Sequence, residues 1–318
     1  MKRVTIIVIC LLICNTLTKA QETHNQEFGF QTDNDGYLAQ GSDKYYTNGI
    51  FFFYRHALDI KNSDLANKVL GFEAGQKMFN PQSGYIPDRI YIDRPFAGYS
   101  YIGSTLNLLY KNESNLKLGA QLGIIGPGSL AKQTQEFIHR TFGFYPPAGW
   151  QYQIRNNAVL NLSAEYNKLI VRNQSFDLTL NAYGNLGNGF SGAGIGPMFR
   201  LGRLNALFNS VSTQSTAITA RNMNAAKQHE LFFYYKPLIN YVAYDATVEG
   251  GLFTTNTDPN SQEVTLTQNR LVLSNQVGGV YNANRFSFDF SVVFHSKDVK
   301  QMLVSHQWGS LAVMYHFN

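Results

Sequence analysis

Alternation of apolar and polar residues dominates this chain. In "RFSFDFSVVF", Phe286, Phe288, Phe290, Val292 and Phe294 fall on one face, and Ser287, Asp289 and Ser291 on the other. The stretch "LNLSAEY" sets Leu160, Leu162, Ala164 and Tyr166 against Asn161, Ser163 and Glu165. In "LKLGAQLGI", Leu116, Leu118, Ala120, Leu122 and Ile124 oppose Lys117, Gly119, Gln121 and Gly123. A period of two is the signature of strands with one apolar and one polar face. Such segments centre near residues 29, 52, 73, 103, 120, 161, 180, 196, 239, 272, 290 and 313, although 232–253 can hide two strands around Pro237. No repeat, linker or low-complexity tract divides them.

Two architectures fit: a soluble sandwich, or an outer-membrane barrel with a wet interior. The last segment, "SLAVMYHFN", places Leu311, Val313, Tyr315 and Phe317 on one face and ends one residue after an aromatic. That resembles the C-terminal assembly signal of outer-membrane barrels. Aromatics make up 14% of the chain and are spread through the strands, as two interfacial girdles require. Twelve is an even number, as a barrel with both ends on the periplasmic side needs. The expected fold is therefore all-β: a twelve-stranded antiparallel transmembrane β-barrel with a short helix in an extracellular loop.

The first twenty residues, "MKRVTIIVICLLICNTLTKA", have a basic start, an apolar middle and small residues at the end, the pattern of a cleaved secretory signal. This predicts a signal peptide over 1–20 and one barrel domain over 21–318. Both cysteines, Cys10 and Cys14, lie in the signal, so the mature chain has no disulfide to form. Losing Lys2, Arg3 and Lys19 reduces the 26 bases to 23, against 21 acids, so the net charge gives no reason to expect a nucleic-acid partner. Beyond the signal, no apolar run approaches the roughly 18 residues of a membrane helix, so spanning requires a closed barrel.

If the first strand runs outward, the loops at about 34–45, 80–95 and 126–151 share the outer side. "KNES" at 111–114 and "NAN" at 282–284 are then short inner turns. The long stretch 202–227 also falls inside, either as an extended connection or as a slip in the strand count. The outer loops bring candidate chemistry together. Asp33, Asn34 and Asp35 close strand one, and Asp43 and Thr47 open strand two, a set of oxygens suited to a hard cation but equally common in a turn. In "SLAKQTQEFIHRTFG", a helical run at 129–143, Gln135 and His139 share a face, with Phe137 and Phe142 on other sides. An imidazole's ordinary pKa near neutrality suits a general base, though a solvated loop histidine looks the same in sequence. HExxH, paired CxxC, Walker and GxSxG motifs are absent.

In order along the chain, "NDG…DKYYTNG", "DRPFAGYSYIGS", "GIIGPGSLAKQTQEFIHRTFG", "GWQYQIRNN", "NYVAYDATVEGGLF" and "HQWGSL" resemble the outer-membrane lipid A 3′-O-deacylase family. The resemblance implies a twelve-stranded barrel in the bacterial outer membrane, with a calcium-dependent esterase facing the cell exterior and lipid A, or lipopolysaccharide, as substrate among the membrane lipids. It puts the catalytic histidine at His139 and its helix partner at Gln135. The Asn-Asp pair, implied to hold calcium, falls on Asn34 and Asp35, and a hydroxyl residue on Thr47. Where the family carries an acid after the histidine, this chain offers Tyr145 or Asn157; where it carries a lysine, Ile86 or Arg89. A monomer is expected. The competing reading is a non-catalytic barrel serving as channel, adhesin or structural protein. Under it Asn34, Asp35 and Thr47 shape a turn and His139 caps a loop contact, whereas the enzyme requires His139 within about one bridging water's reach of that cluster.

Overall fold

The computed structural model describes residues 24–38, 43–61, 64–219, 229–253 and 260–318. The expected signal at 1–20 lies outside them. Twelve antiparallel strands close into a barrel. They are β1 (Gln26–Asn34), β2 (Tyr45–Ala57), β3 (Leu65–Asn80), β4 (Ala97–Tyr110), β5 (Ser114–Ile125), β6 (Asn157–Arg172), β7 (Phe176–Gly187), β8 (Phe190–Arg203), β9 (His229–Asp245), β10 (Leu271–Ala283), β11 (Phe286–His295) and β12 (His306–Phe317). Each expected centre falls within its strand. The β1–β12 seam, from Gln26↔Phe317 to Asn34↔Gly309, closes the cylinder and leaves no sheet edge.

The alternating pattern sorts side chains as a bilayer demands. Phe52, Phe72, Ile102, Leu122 and Ile239 stand exposed on the outer wall, the face that lipid covers. Residues 232–245 form one strand, not two. Pro237 lies opposite Pro197 in the β8–β9 seam, and the ladder skips from Ile195↔Ile239 to Phe199↔Tyr235. Two prolines without N–H groups thus share a single interruption.

The strand count does not slip at 202–227. The described part of that stretch folds back into the barrel at its turn end, where Leu207 and Val211 are buried. Asn67 Nδ2 donates to the carbonyls of Ser215 (3.1 Å) and Ala217 (2.9 Å), and Asn107 Nδ2 to that of Thr213 (2.8 Å). Arg200 reaches Ser210 (2.8 Å) from β8 while paired with Asp177 (2.6 Å). The inward-facing amides of Asn67 and Asn107 are thus satisfied by this backbone.

At the opposite end, residues 35–38 and 43–44 and the connections 81–96 and 126–156 gather beside β2 to β5. One helix, α1 (Ala131–Phe142), lies in the third of them. Ser129 Oγ, two residues before its first residue, accepts from Ala131 N (3.4 Å), and Gly143 ends it in the left-handed region at φ 73°. Ala131, Gln135 and His139, four residues apart, form the buried stripe. The stripe rests on the outer wall of the barrel. Gly98, on the same face of β4 as exposed Ile102, has no Cβ, and that space is taken by Ser129 and Ala131. Gln76 and Ser100 bond the Ser129 carbonyl at 2.7 Å each, and Met78, Ile86, Phe96, Ala131 and Trp150 pack into one apolar cluster.

Candidate functional site

The helix stripe brings His139 against the start of β2. His139 Nδ1 lies 2.6 Å from the Tyr145 carbonyl, so this nitrogen carries the ring proton and donates it. The other ring nitrogen, Nε2, faces Asp43 Oδ2 at 3.1 Å. Asp43 continues inward: its Oδ1 is 3.5 Å from Thr47 Oγ, and Thr47 Oγ is 3.2 Å from Asp35 Oδ1. One carboxylate therefore links His139 to Thr47 and Asp35. Thr47 reaches this position because it is the extra residue of a β-bulge between Tyr46↔Phe79 and Asn48↔Met78.

Gln135, one turn before His139, is almost fully buried at 3% exposure. Its Oε1 accepts from Trp150 Nε1 (2.8 Å), while its Nε2 has no hydrogen-bond partner. An orphaned buried donor costs about 1–3 kcal/mol, so it marks a place where an acceptor is wanted. Gly84 shows where. A Cβ at that residue would stand 2.6 Å from the Tyr145 hydroxyl and 3.1 Å from both Asp43 Oδ2 and Gln135 Nε2. The missing side chain opens the space on which these polar atoms converge.

Asn34 sits in the same turn, but its Oδ1 accepts from Gly36 N at 2.6 Å. The second lone pair of that oxygen stays free to meet a cation. Tyr145 occupies one of the two positions offered for the family's acid. Its hydroxyl donates to Asp43, and burial followed by that carboxylate pushes the phenol well above its usual range. Asn157, the other position, bonds the Arg155 carbonyl instead (2.8 Å). Ile86 is buried with Trp150, and Arg89 is exposed on a short 3-10 turn. Sequence reading grouped Asp43 with the oxygen cluster without assigning it a role, and gave none to Trp150 or Gly84.

The donor set fits a hard cation. Asp35, Asp43 and Thr47 present oxygens 3.2–3.5 Å apart, close to the spacing of adjacent ligands on an ion bound at about 2.4 Å. Burial, reinforced by the charge of Asp43, pushes the Asp35 carboxyl up to about 7 although Lys44 N donates to it at 2.8 Å. Two crowded carboxylates of this kind are what a divalent ion neutralises. Phe144 stands edge-on to the His139 ring at 5.6 Å and stacks with Phe142, and both are exposed, as is Phe137 on α1.

Comparison with known proteins agrees with this architecture. The family described as Outer membrane protein LpxR matches residues 6–317. Among solved structures, LpxR from Salmonella typhimurium superposes with a TM-score of 0.73 at 18% identity, covering 92% of this chain and 100% of that one. The KdgM porin gives 0.40 at 7% identity, covering 92% and 99%. The β domain of the Bordetella autotransporter BrkA gives 0.45 at 9%, covering 93% and 100%. No curated protein matches. With a family match over nearly its whole length and the corresponding barrel, the chain belongs to the LpxR family of outer membrane proteins.

Proposed function

We propose that the protein is a lipid A deacylase that hydrolyses a 3′-linked ester acyl chain in the outer leaflet, with its site facing the cell exterior and the barrel acting as a monomer. One observation carries this reading: an imidazole nitrogen, an orphaned amide donor and an acidic cluster meet on the lipid-facing wall. Exposed aromatics surround them. Below, a trough of about 530 Å³ runs over Ala74, Ser104 and Ala120 between Phe52, Phe72, Ile102 and Leu122, offering an acyl chain an apolar bed.

His139 is the general base. With Nδ1 held by the Tyr145 carbonyl, Nε2 takes a proton from water as the water oxygen attacks the ester carbon. The carbonyl oxygen becomes an oxyanion, and Gln135 Nε2–H, without a partner in the resting protein, donates to it. Collapse of the tetrahedral intermediate breaks the bond between the acyl carbon and the ester's alcohol oxygen, which leaves as an alkoxide. His139 returns its proton to that alkoxide, leaving a fatty acid and an alcohol. Asp35, Asp43 and Thr47, with the Asn34 carbonyl, would hold calcium, which supplies positive charge to polarise the ester carbonyl when bound. The test is to incubate the purified barrel with lipid A, with calcium or with chelator, and follow lipid mass. Loss of one acyl mass only with calcium and intact His139 supports the reading. A folded wild-type protein inert on several lipid A types, including that of its own host, refutes it.

A further inference from the structure

A second constellation lies on the other side of the wall, inside the barrel. His295 ends β11, His306 opens β12 and Asp298 sits in the loop between them; among the described residues this is the one group of three potential metal-ligating side chains gathered together. His295 Nδ1 and His306 Nε2 are 2.9 Å apart, and Asp298 Oδ1 is 3.4 Å from the first and 3.9 Å from the second. Ligands on a tetrahedral ion at about 2.0–2.1 Å stand about 3.4 Å from each other, the mean of this triangle. The Ser296 carbonyl, 3.0 Å from His295 Nδ1, adds a fourth donor atom, the second oxygen, beside the same point.

Protons alone serve this arrangement poorly. If His306 Nε2–H donates to His295 Nδ1, the latter keeps no hydrogen for the Asp298 carboxylate or the Ser296 carbonyl. A cation at the centre meets every lone pair at once. The outer layer is also prepared. Arg94 Nε holds Asp298 Oδ2 at 3.0 Å and Arg94 Nη2 is fixed by Thr247 Oγ at 3.1 Å, which turns Oδ1 toward the histidines. Trp308 packs against both imidazoles, with ring centroids at 5.8 and 5.4 Å. A cavity of about 380 Å³ leads to the cluster, and Asp33, Glu73 and Asp245 on its walls, with Asp298, outnumber Lys77 and Arg94. Its field favours entry of a cation.

We propose that His295, Asp298 and His306 form a luminal site for a borderline divalent transition metal such as zinc. Two imidazoles and one carboxylate select that class, whereas calcium takes six to eight oxygens. The site is separate from the outer-wall cluster and stands whether or not that cluster is hydrolytic. Its role is to clamp: the ion ties both ends of the β11–β12 connection together. That connection already reaches the start of β2, with Leu303 N donating to the Tyr45 hydroxyl (3.1 Å) and to Asp93 (3.2 Å). In the metal-free arrangement His306 Nδ1 accepts weakly from Tyr46 N (3.4 Å). Metal on Nε2 moves the ring proton to Nδ1, so that contact opens.

The experiment uses untagged, chelator-stripped barrel in detergent, with excess calcium present, titrated with cobalt(II) and then zinc. One cobalt per chain with a four-coordinate visible spectrum, displaced by zinc and unchanged in His139→Ala, is expected. Replacing a ligand, as in His306→Gln or Asp298→Asn, should weaken binding by more than the roughly 10- to 100-fold typical of outer-layer partners. Undiminished binding in folded His295→Gln and His306→Gln variants overturns the proposal. If those variants fail to fold, the wild type decides alone: no cobalt retained against calcium, or an octahedral oxygen-rich spectrum, overturns it.

Discussion

Gln135→Glu isolates the orphaned amide. Glutamate keeps an acceptor for Trp150 Nε1, now 2.8 Å from Gln135 Oε1, and removes the buried N–H that has no partner. Leaving a buried donor unpaired costs about 1–3 kcal/mol, and a bond to a charged acceptor is about twice as strong as a neutral one. Satisfying the donor only when the oxyanion forms is therefore worth about 2–4 kcal/mol. At about 1.4 kcal/mol per decade this is a rate factor of about 30 to 1000, in the range seen for a single oxyanion-hole donor. The assay is calcium-saturated release of fatty acid from lipid A in mixed micelles, with kcat and KM determined separately and folding checked by circular dichroism. The account expects kcat to fall by that factor with KM nearly unchanged. A folded Gln135→Glu enzyme with kcat within threefold of wild type, or a loss confined to KM, refutes the donor role.

Gly84→Ala should abolish deacylation while leaving the melting temperature within a few degrees of wild type, because its Cβ fills the space shared by Tyr145, Asp43 and Gln135; an active variant would show that the ester sits elsewhere. Trp150→Phe leaves Gln135 Oε1 unpaired in an apolar cluster and should cost about 1–3 kcal/mol of stability, read from denaturant unfolding, together with a drop in kcat. Calcium must displace the proton that Asp35, pushed up to about 7, carries in the cation-free protein. Affinity measured by calorimetry should thus fall about tenfold per pH unit below 7 and level off above it. The sign for stability follows: a raised carboxyl stabilises the fold at low pH and loses that contribution as pH rises through 7, so thermal stabilisation by calcium should grow over the same interval.

The barrel was legible because lipid and lumen impose a period of two on every strand, and that period survives in "RFSFDFSVVF" and its counterparts. Pro237 misled only because a proline suggests a break; the opposed Pro197 that lets both share one gap is forty residues away. Within the site, Gln135 and His139 were readable as helix neighbours. Asp43 was not assigned because its partners are remote: Tyr145 is 102 positions away in sequence, and an aspartate shortly before a strand is ordinary. Gly84 gives no signal at all, since its contribution is an absent side chain seen only once three loops converge. The bulge that carries Thr47 into the cluster is likewise a matter of register, set by pairing with β3.

The most direct test of the central claim is hydrolysis in ¹⁸O-enriched water, with lipid A, calcium and the wild-type barrel, followed by mass spectrometry of the released fatty acid and of the residual lipid. Attack by a water that His139 deprotonates predicts one heavy oxygen in the free acid, none in the lipid alcohol, and no labelled acid from His139→Ala. Fatty acid released without label, or labelled equally by the His139→Ala protein, would contradict the account.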